Sequence, residues 1–129
     1  MLAAKPKLPT PKPVVVSSNT TALIIVDMQN DFCKPEGSLF LGPNVTATIP
    51  HIRFLLDKAR AAGMVVIYTQ DWHAPDDPEF KIWPVHAVRD TWGAAVIDEL
   101  RPTPKDYFIK KTTYDAFSLQ KLSQIWKIF

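Results

Sequence analysis

The chain has 129 residues, of which 47% are hydrophobic and 22% charged, and its formal net charge is +2. These values are typical of a single soluble globular domain, and so small a charge, with scattered lysines and arginines, argues against a nucleic-acid-binding surface. No apolar run approaches the roughly 20 residues of a membrane-spanning helix, so we expect a protein that binds neither nucleic acid nor membrane.

Cysteine usage and the N-terminal residues bear on the cellular compartment. The single cysteine, Cys33, excludes an internal disulfide and is compatible with a reducing compartment. The N-terminal residues lack the apolar core of a signal peptide. We therefore expect a cytoplasmic protein.

The first thirteen residues differ in composition from the rest, with four of the twelve prolines. Proline removes backbone donors and favours extended backbone, so we expect residues 1–20 to form an extended arm rich in proline and lysine. The folded domain is then expected at residues 21–129. The spacing of Pro6 and Pro9 also occurs in SH3 ligands, but the basic residue that such ligands need is absent at the proper offset.

The first regular element is the apolar run Ala22–Val26. A run this short and uniformly apolar is typical of a strand buried on both faces, as in a parallel sheet. Pro50 stands where the first turn of a helix tolerates proline, and Gly63 occupies a common C-cap position. The apolar positions between them recur at helical spacing, so we predict a helix from Pro50 to Gly63.

A second apolar run makes residues 64–70 a predicted strand, which gives the order strand, helix, strand. Such βαβ units have parallel strands and a right-handed crossover. The pattern then predicts a short helix over 93–100, a third strand over 106–110 and a last helix over 119–126. The predicted fold class is α/β with a parallel sheet.

Polar residues follow each of the three predicted strands. Asp27 follows the first strand, Asp71 and His73 follow the second, and Lys111 follows the third. Open parallel sheets bind their ligands at the carboxyl edge of the strands, so we expect these four side chains to share one site. The alternative for each residue alone is that it simply forms a turn.

Three of the polar residues form a candidate metal site. Asp71 and His73 are two residues apart, so in extended backbone they point the same way, and His86 offers a second imidazole thirteen residues later. Two histidines and one carboxylate leave coordination positions open for water or substrate, as catalytic sites require. The alternative is three unrelated loop residues. His51 is expected to be an ordinary surface or capping residue.

Four segments of the chain carry a resemblance to a known family. They are residues 22–32, ALIIVDMQNDF, residues 71–73, DWH, residues 83–86, WPVH, and residues 111–117, KTTYDAF. Their order and spacing resemble those of the nicotinamidase and isochorismatase superfamily of cysteine hydrolases. The resemblance implies a three-layer α/β/α sandwich with a Rossmann-like parallel sheet. It also implies hydrolysis of a small, nicotinamide-like amide to acid and ammonia through a thioester.

The resemblance implies roles for the predicted site residues. Asp27 would be the general base and Lys111 its cationic partner. The metal ligands Asp71, His73 and His86 would bind one divalent ion, with zinc expected first and iron or manganese as alternatives.

Two aromatic residues are candidates for substrate contact. Phe32 or Trp83 would stack on an aromatic substrate, and the alternative for both is packing in the core.

The sequence departs from the family in one respect. The motif that carries the nucleophilic cysteine is absent, and nothing near Cys33 in the sequence supplies a helix N-terminus to depress its pKa. We therefore expect a sheet that is incomplete on its C-terminal side and a chain that is inactive and only marginally stable alone. Three hypotheses stay open: amide hydrolysis or isochorismatase-type hydrolysis in a full-length form, and a non-catalytic metal-binding or interaction fragment. A homo-oligomer is compatible with each.

Overall fold

The computed structural model describes residue 4 and residues 7–118. The backbone between residues 7 and 17 has no regular secondary structure, and its side chains are exposed. No helix in the described part of the chain is long and apolar enough to cross a membrane. The division into an arm and a domain at residue 20 stays a prediction, and the predicted helix over 119–126 lies outside the described residues.

A parallel sheet of three strands forms the centre of the fold. The strands are β1, Ala22–Val26, β2, Val65–Asp71, and β3, Tyr107–Lys111, in the order β1-β2-β3 with both pairs parallel. The first predicted strand is confirmed, and the other two lie one residue further along the chain than predicted. Lys111 is therefore the last residue of β3. The predicted class, α/β with a parallel sheet, is confirmed.

The long helix between β1 and β2 begins earlier than predicted. After a single turn, α1, Asn30–Cys33, the helix α2 spans Pro43–Ala61. The predicted start at Pro50 is wrong, because Pro43 takes the first-turn position, where a missing N–H costs no hydrogen bond. Pro50 instead lies exposed in the helix interior. The predicted end is supported, since Gly63 adopts a left-handed φ of 67° just after the helix.

Helix α2 packs on one face of the sheet. The main core contains residues of both, namely Ile25, Val66 and Tyr68 from the strands and Ile49, Leu56 and Ala59 from α2. A smaller cluster on the opposite face surrounds Ile67 and Ile109, which are both buried. Burial on both faces is what the uniformly apolar strand sequences predict for a parallel sheet.

The predicted helix over 93–100 is wrong. These residues form turns followed by one short 3₁₀ helix, Asp98–Leu100. Carbonyl groups in the first part of the segment bond to other segments: the carbonyl of Ala94 accepts from the side chains of Gln29 and Gln70, and that of Ala95 accepts from the backbone of Asn30. A helix would need some of the same carbonyl groups for its own hydrogen bonds.

Candidate active site

The carboxylate of Asp27 and the ammonium of Lys111 meet across β2. Lys111 Nζ donates to Asp27 Oδ2 at 2.8 Å, and the hydroxyl of Thr69 donates to Asp27 Oδ1 at 2.6 Å. Asp27 has a left-handed φ of 52°, so its side chain does not follow the alternation of side chains between the two faces of the sheet. Its carboxylate thereby reaches the face of the sheet that carries Thr69 and Lys111. Residues held in this rarely adopted conformation occur preferentially at functional sites.

Lys111 links the carboxylates of two strands. Its side chain is 3% exposed and also donates to Asp71 Oδ1. Burial alone would lower the pKa of Lys111, but hydrogen bonds to Asp27 and Asp71 outweigh burial and raise that pKa above its ordinary value. The lysine therefore remains an ammonium. The neighbouring Lys110 packs instead on the ring of Trp72, with its Nζ 3.7 Å from the ring centroid, so Lys111 is the lysine that belongs to the site.

The three predicted metal ligands lie together. One side-chain atom each of Asp71, His73 and His86 falls within 4.8 Å of the others, and all three residues are buried. His73 is 1% exposed, and its Nε2 is one of two buried side-chain nitrogen or oxygen atoms in the described residues that lack a hydrogen-bond partner. Such an orphaned atom costs free energy unless a ligand or an ion meets it.

Hydrogen bonds fix the orientation of both imidazole rings. His73 Nδ1 lies 3.0 Å from Asp77 Oδ2, and His86 Nδ1 lies 2.6 Å from the carbonyl oxygen of Pro84. Because carboxylate and carbonyl oxygens only accept, each Nδ1 carries a hydrogen, and in the neutral ring each Nε2 keeps its lone pair. This is the arrangement in which protein histidines bind metal ions.

Two acidic residues of this cluster, Asp77 and Glu79, were not predicted from the sequence. Glu79 lies on a 3₁₀ helix, Pro78–Lys81, with one carboxylate oxygen 3.9 Å from His73 Nε2 and the other 3.8 Å from His86 Nε2. Asp77 caps that helix, and its pKa is lowered by hydrogen bonds from the backbone of Glu79 and from His73. The order Asp, Pro, Glu at 77–79 is a helix-start signal that could have located both residues.

A third acidic residue outside the prediction, Asp31, holds the loop that carries His86. Asp31 Oδ2 accepts from the backbone N–H of Ala87 at 2.8 Å, and Ala87 has a left-handed φ of 45°. A side chain at Gly93 would overlap the carboxylate of Asp31, so this close approach requires glycine. The next residue after His86 is thereby anchored to α1.

A cavity of about 310 Å³ opens beside the cluster. Apolar residues form most of its lining: Val26, Met28, Phe32, Leu39, Leu41, Val45, Trp83 and the ring of Tyr114. Its ionisable lining groups include Asp27, Asp71, Glu79 and His86. Among the described residues, no lysine or arginine lines it.

Both aromatic residues predicted to touch substrate line this cavity. Phe32 is buried in the main core and also contacts the ring of His86, with the ring centroids 5.6 Å apart. Trp83 is 44% exposed, and its indole N–H donates to the hydroxyl of Tyr114 at 2.9 Å. Phe32 therefore serves the core and the cavity wall together, and substrate contact stays a prediction for both residues.

Cys33 also lines the cavity, but its chemistry is that of a core residue. It is 1% exposed, and burial raises the pKa of its thiol to about 11. Because the thiolate is the reactive form, this thiol is almost wholly unreactive at neutral pH. The structure thus supports the expectation that Cys33 is not a nucleophile.

Comparison with known proteins points to one family. Residues 21–127 match the family model described as the isochorismatase domain. The ureidoacrylate amidohydrolase RutB of Caulobacter segnis is 32% identical, over 89% of this chain and 59% of that protein. The chain thus spans less than two thirds of the length of this relative.

Two solved structures share the fold. One is an N-carbamoylsarcosine amidase from Thermoplasma acidophilum, with a TM-score of 0.74 and 37% identity over 83% of this chain and 60% of that one. The other is a pyrazinamidase of Pyrococcus horikoshii in complex with zinc, with a TM-score of 0.74 and 29% identity over 82% of this chain and 63% of that one.

Proposed function

The chain belongs to the isochorismatase family, and on this premise we propose that it provides the acid–base pair and the metal site of a hydrolase for small, nicotinamide-like amides. One observation carries the proposal: the ammonium of Lys111 bonds both to Asp27, the proposed general base, and to Asp71, a proposed metal ligand. The two parts of the site are therefore one unit. The three relatives are, by name, two amidases and an amidohydrolase.

The lining of the cavity supports a substrate with a largely apolar body. Its walls are mainly apolar, and three carboxylates, those of Asp27, Asp71 and Glu79, face it. Lys111 is not a lining residue, but it bonds to Asp27 and Asp71 and offsets their charge, and a bound divalent ion would add positive charge at the same wall. A flat aromatic amide such as nicotinamide would place its ring between Phe32 and Trp83. The apolar walls therefore favour a small amide with a flat, apolar body.

We propose that Asp71, His73 and His86 hold a divalent ion, with zinc first and iron or manganese as alternatives. The donor set suits zinc, and the orphaned Nε2 of His73 supplies a buried lone pair with no other use. Glu79 is close enough to both histidines to add a fourth ligand oxygen. When bound, the ion would orient the substrate and polarise it or a water molecule.

The chain's own residues would handle the proton. Asp27 faces the cavity and would accept the proton of the attacking nucleophile, while Lys111 stabilises the negative charge that results. The hydroxyl of Thr69 and the ammonium of Lys111 hold one oxygen each of the Asp27 carboxylate, so the base keeps a fixed orientation. Cleavage through a thioester then requires a thiol other than that of Cys33.

Ligand binding to the zinc-loaded chain tests the proposed substrate class. We expect nicotinamide to bind at least about tenfold more tightly than acetamide, because only nicotinamide has a ring that can pack against the apolar walls. Trp83→Ala should weaken the binding of nicotinamide, whereas Trp92→Ala should not, since Trp92 is exposed and is not among the residues that line the cavity. Equal affinity for nicotinamide and acetamide would contradict the proposal.

Ammonia release tests the proposed chemistry. Turnover of nicotinamide at about 1 per second or more that disappears in Cys33→Ala would make Cys33 the nucleophile and overturn its assignment as a core residue. The second candidate function, a non-catalytic metal-binding fragment, is favoured by the one cysteine being buried and protonated. Zinc binding without any binding of nicotinamide would support that alternative.

A further inference from the structure

We propose that Asp77 is a positioning residue of the metal centre, with one carboxylate oxygen orienting His73 and the other orienting Glu79. The inference rests on the proposed metal site and adds a residue that does not itself touch the ion. Asp77 would thereby determine which ring nitrogen of His73 is free to bind the ion.

The geometry of Asp77 links two members of the cluster. Its Oδ2 lies 3.0 Å from His73 Nδ1, and its Oδ1 accepts from the backbone N–H of Glu79 at 2.9 Å. The side chain of Asp77 is only 14% exposed, so water competes weakly for these oxygens. One carboxylate therefore sets both the ring of His73 and the start of the 3₁₀ helix that carries Glu79.

The tautomer of His73 follows from this contact. A carboxylate accepts but does not donate, so the neutral ring of His73 carries its hydrogen on Nδ1, and Nε2 keeps the lone pair. Outer groups that orient a ligating histidine in this way typically change metal affinity by about 10–100-fold when removed. A residue that merely capped the helix would leave the tautomer of His73 unaffected.

Asp77→Asn separates the two roles. The amide oxygen of asparagine can still cap the helix by accepting from the N–H of Glu79, which turns its NH₂ group toward His73 Nδ1. That nitrogen must then accept, the hydrogen moves to Nε2, and the lone pair needed for zinc is lost. We expect zinc affinity, measured by competition with a chromophoric chelator, to fall about 10–100-fold while thermal unfolding of the zinc-free chain changes little.

Nitrogen-15 NMR of the zinc-free chain reads the tautomer directly. We expect His73 to carry its hydrogen on Nδ1 in the unsubstituted chain and on Nε2 in Asp77→Asn. Asp76→Asn is the matched control, because Asp76 is an exposed neighbour and its substitution removes the same charge. Asp77→Ser is the second variant, since serine keeps the cap but is too short to reach His73, and it should also weaken zinc binding.

The outcomes distinguish this inference from the proposed function. Unchanged zinc affinity and an unchanged tautomer in Asp77→Asn would overturn the role of Asp77 while leaving the metal site intact. An equal loss of affinity in Asp76→Asn would also overturn it, because charge alone would then explain the effect. No zinc binding by the unsubstituted chain would overturn the metal site and this inference together, whatever the result for amide binding.

Discussion

Lys111 connects the two parts of the candidate site. Its buried ammonium is bonded to Asp27 and Asp71, so Lys111→Met would leave two carboxylates close together without a counter-charge. Removing one partner of a buried ion pair costs about 3–5 kcal/mol, and we expect the lower end because Asp27 is 26% exposed. Urea unfolding of the two chains at pH 7 would measure the loss.

The adjacent lysine gives the matched control for that substitution. Lys110 is exposed and packs on the ring of Trp72, a contact worth about 0.5–1 kcal/mol at exposed sites. Lys110→Met should therefore cost far less than Lys111→Met. Equal losses would mean that the buried ion pair does not stabilise the fold as the geometry indicates.

The raised pKa of Cys33 predicts that its thiol reacts more slowly in the folded chain than in the unfolded chain. Burial raises its pKa from 9.0 to about 11. At a pH near 9 the thiol of the folded chain is therefore still protonated, whereas the thiol of the unfolded chain is partly ionised. Two pKa units mean about a hundredfold less thiolate at any pH below both values. Iodoacetamide at pH 8 should thus label the native chain at least about a hundredfold more slowly than the chain in urea. Comparable rates would show that the thiol is accessible and ionised.

At the scale of elements, helix α2 contains a proline that the fold does not require. Pro50 lies exposed inside the helix and lacks the N–H that would bond to the carbonyl four residues earlier. Pro50→Ala is expected to stabilise the chain by roughly 1–2 kcal/mol, since about 3 kcal/mol of helix propensity is partly offset by greater freedom of the unfolded chain. The free energy of unfolding in urea is the measurement.

The first proline of the same helix is the control. Pro43 stands in the first turn, where its missing N–H would have no intrahelical partner. Pro43→Ala should therefore change the free energy of unfolding by less than about 0.5 kcal/mol. A larger gain from Pro43→Ala than from Pro50→Ala would contradict the hydrogen-bond explanation.

The strands and the site at their ends were predictable because they depend on local pattern. Apolar runs mark β1, β2 and β3, and parallel pairing brings Asp27, Asp71 and Lys111 to one edge whatever the details of the loops. The start of α2 was mispredicted because both Pro43 and Pro50 are acceptable in the first turn of a helix. The local sequence does not show which of the two lies there.

Long-range hydrogen bonds explain what sequence reasoning missed. The segment 93–100 has helical apolar spacing, but Gln29, Gln70 and Asn30 take its carbonyl groups. The capping signal at 77–79 is local, yet the carboxylates of Asp77 and Glu79 acquire their partners only when the loop folds back over His73. No sequence pattern within that loop shows that Asp77 will contact His73 or that Glu79 will lie near both His73 and His86.

At the scale of the whole molecule, the candidate metal site connects parts of the fold that are far apart in sequence. Asp71 ends β2 and bonds to Lys111 of β3, while His86 belongs to a loop anchored to α1 through Asp31 and Ala87. An ion held by these ligands would bind the folded chain and not the unfolded one. Its binding free energy would then add to the stability of the whole fold.

Zinc is therefore expected to raise the unfolding temperature of the chain, and a chelator should reverse the effect. At a free zinc concentration of about 100 times its dissociation constant, the gain is about 2.7 kcal/mol, because binding shifts the equilibrium toward the folded state. The gain should disappear in His73→Ala, which removes one of the proposed ligands, and persist in His51→Ala, since His51 is exposed on α2. Calorimetry of the three chains with zinc and with EDTA would measure it. An equal zinc-dependent gain in His73→Ala would show that the ion binds elsewhere and that the orphaned Nε2 is not its ligand.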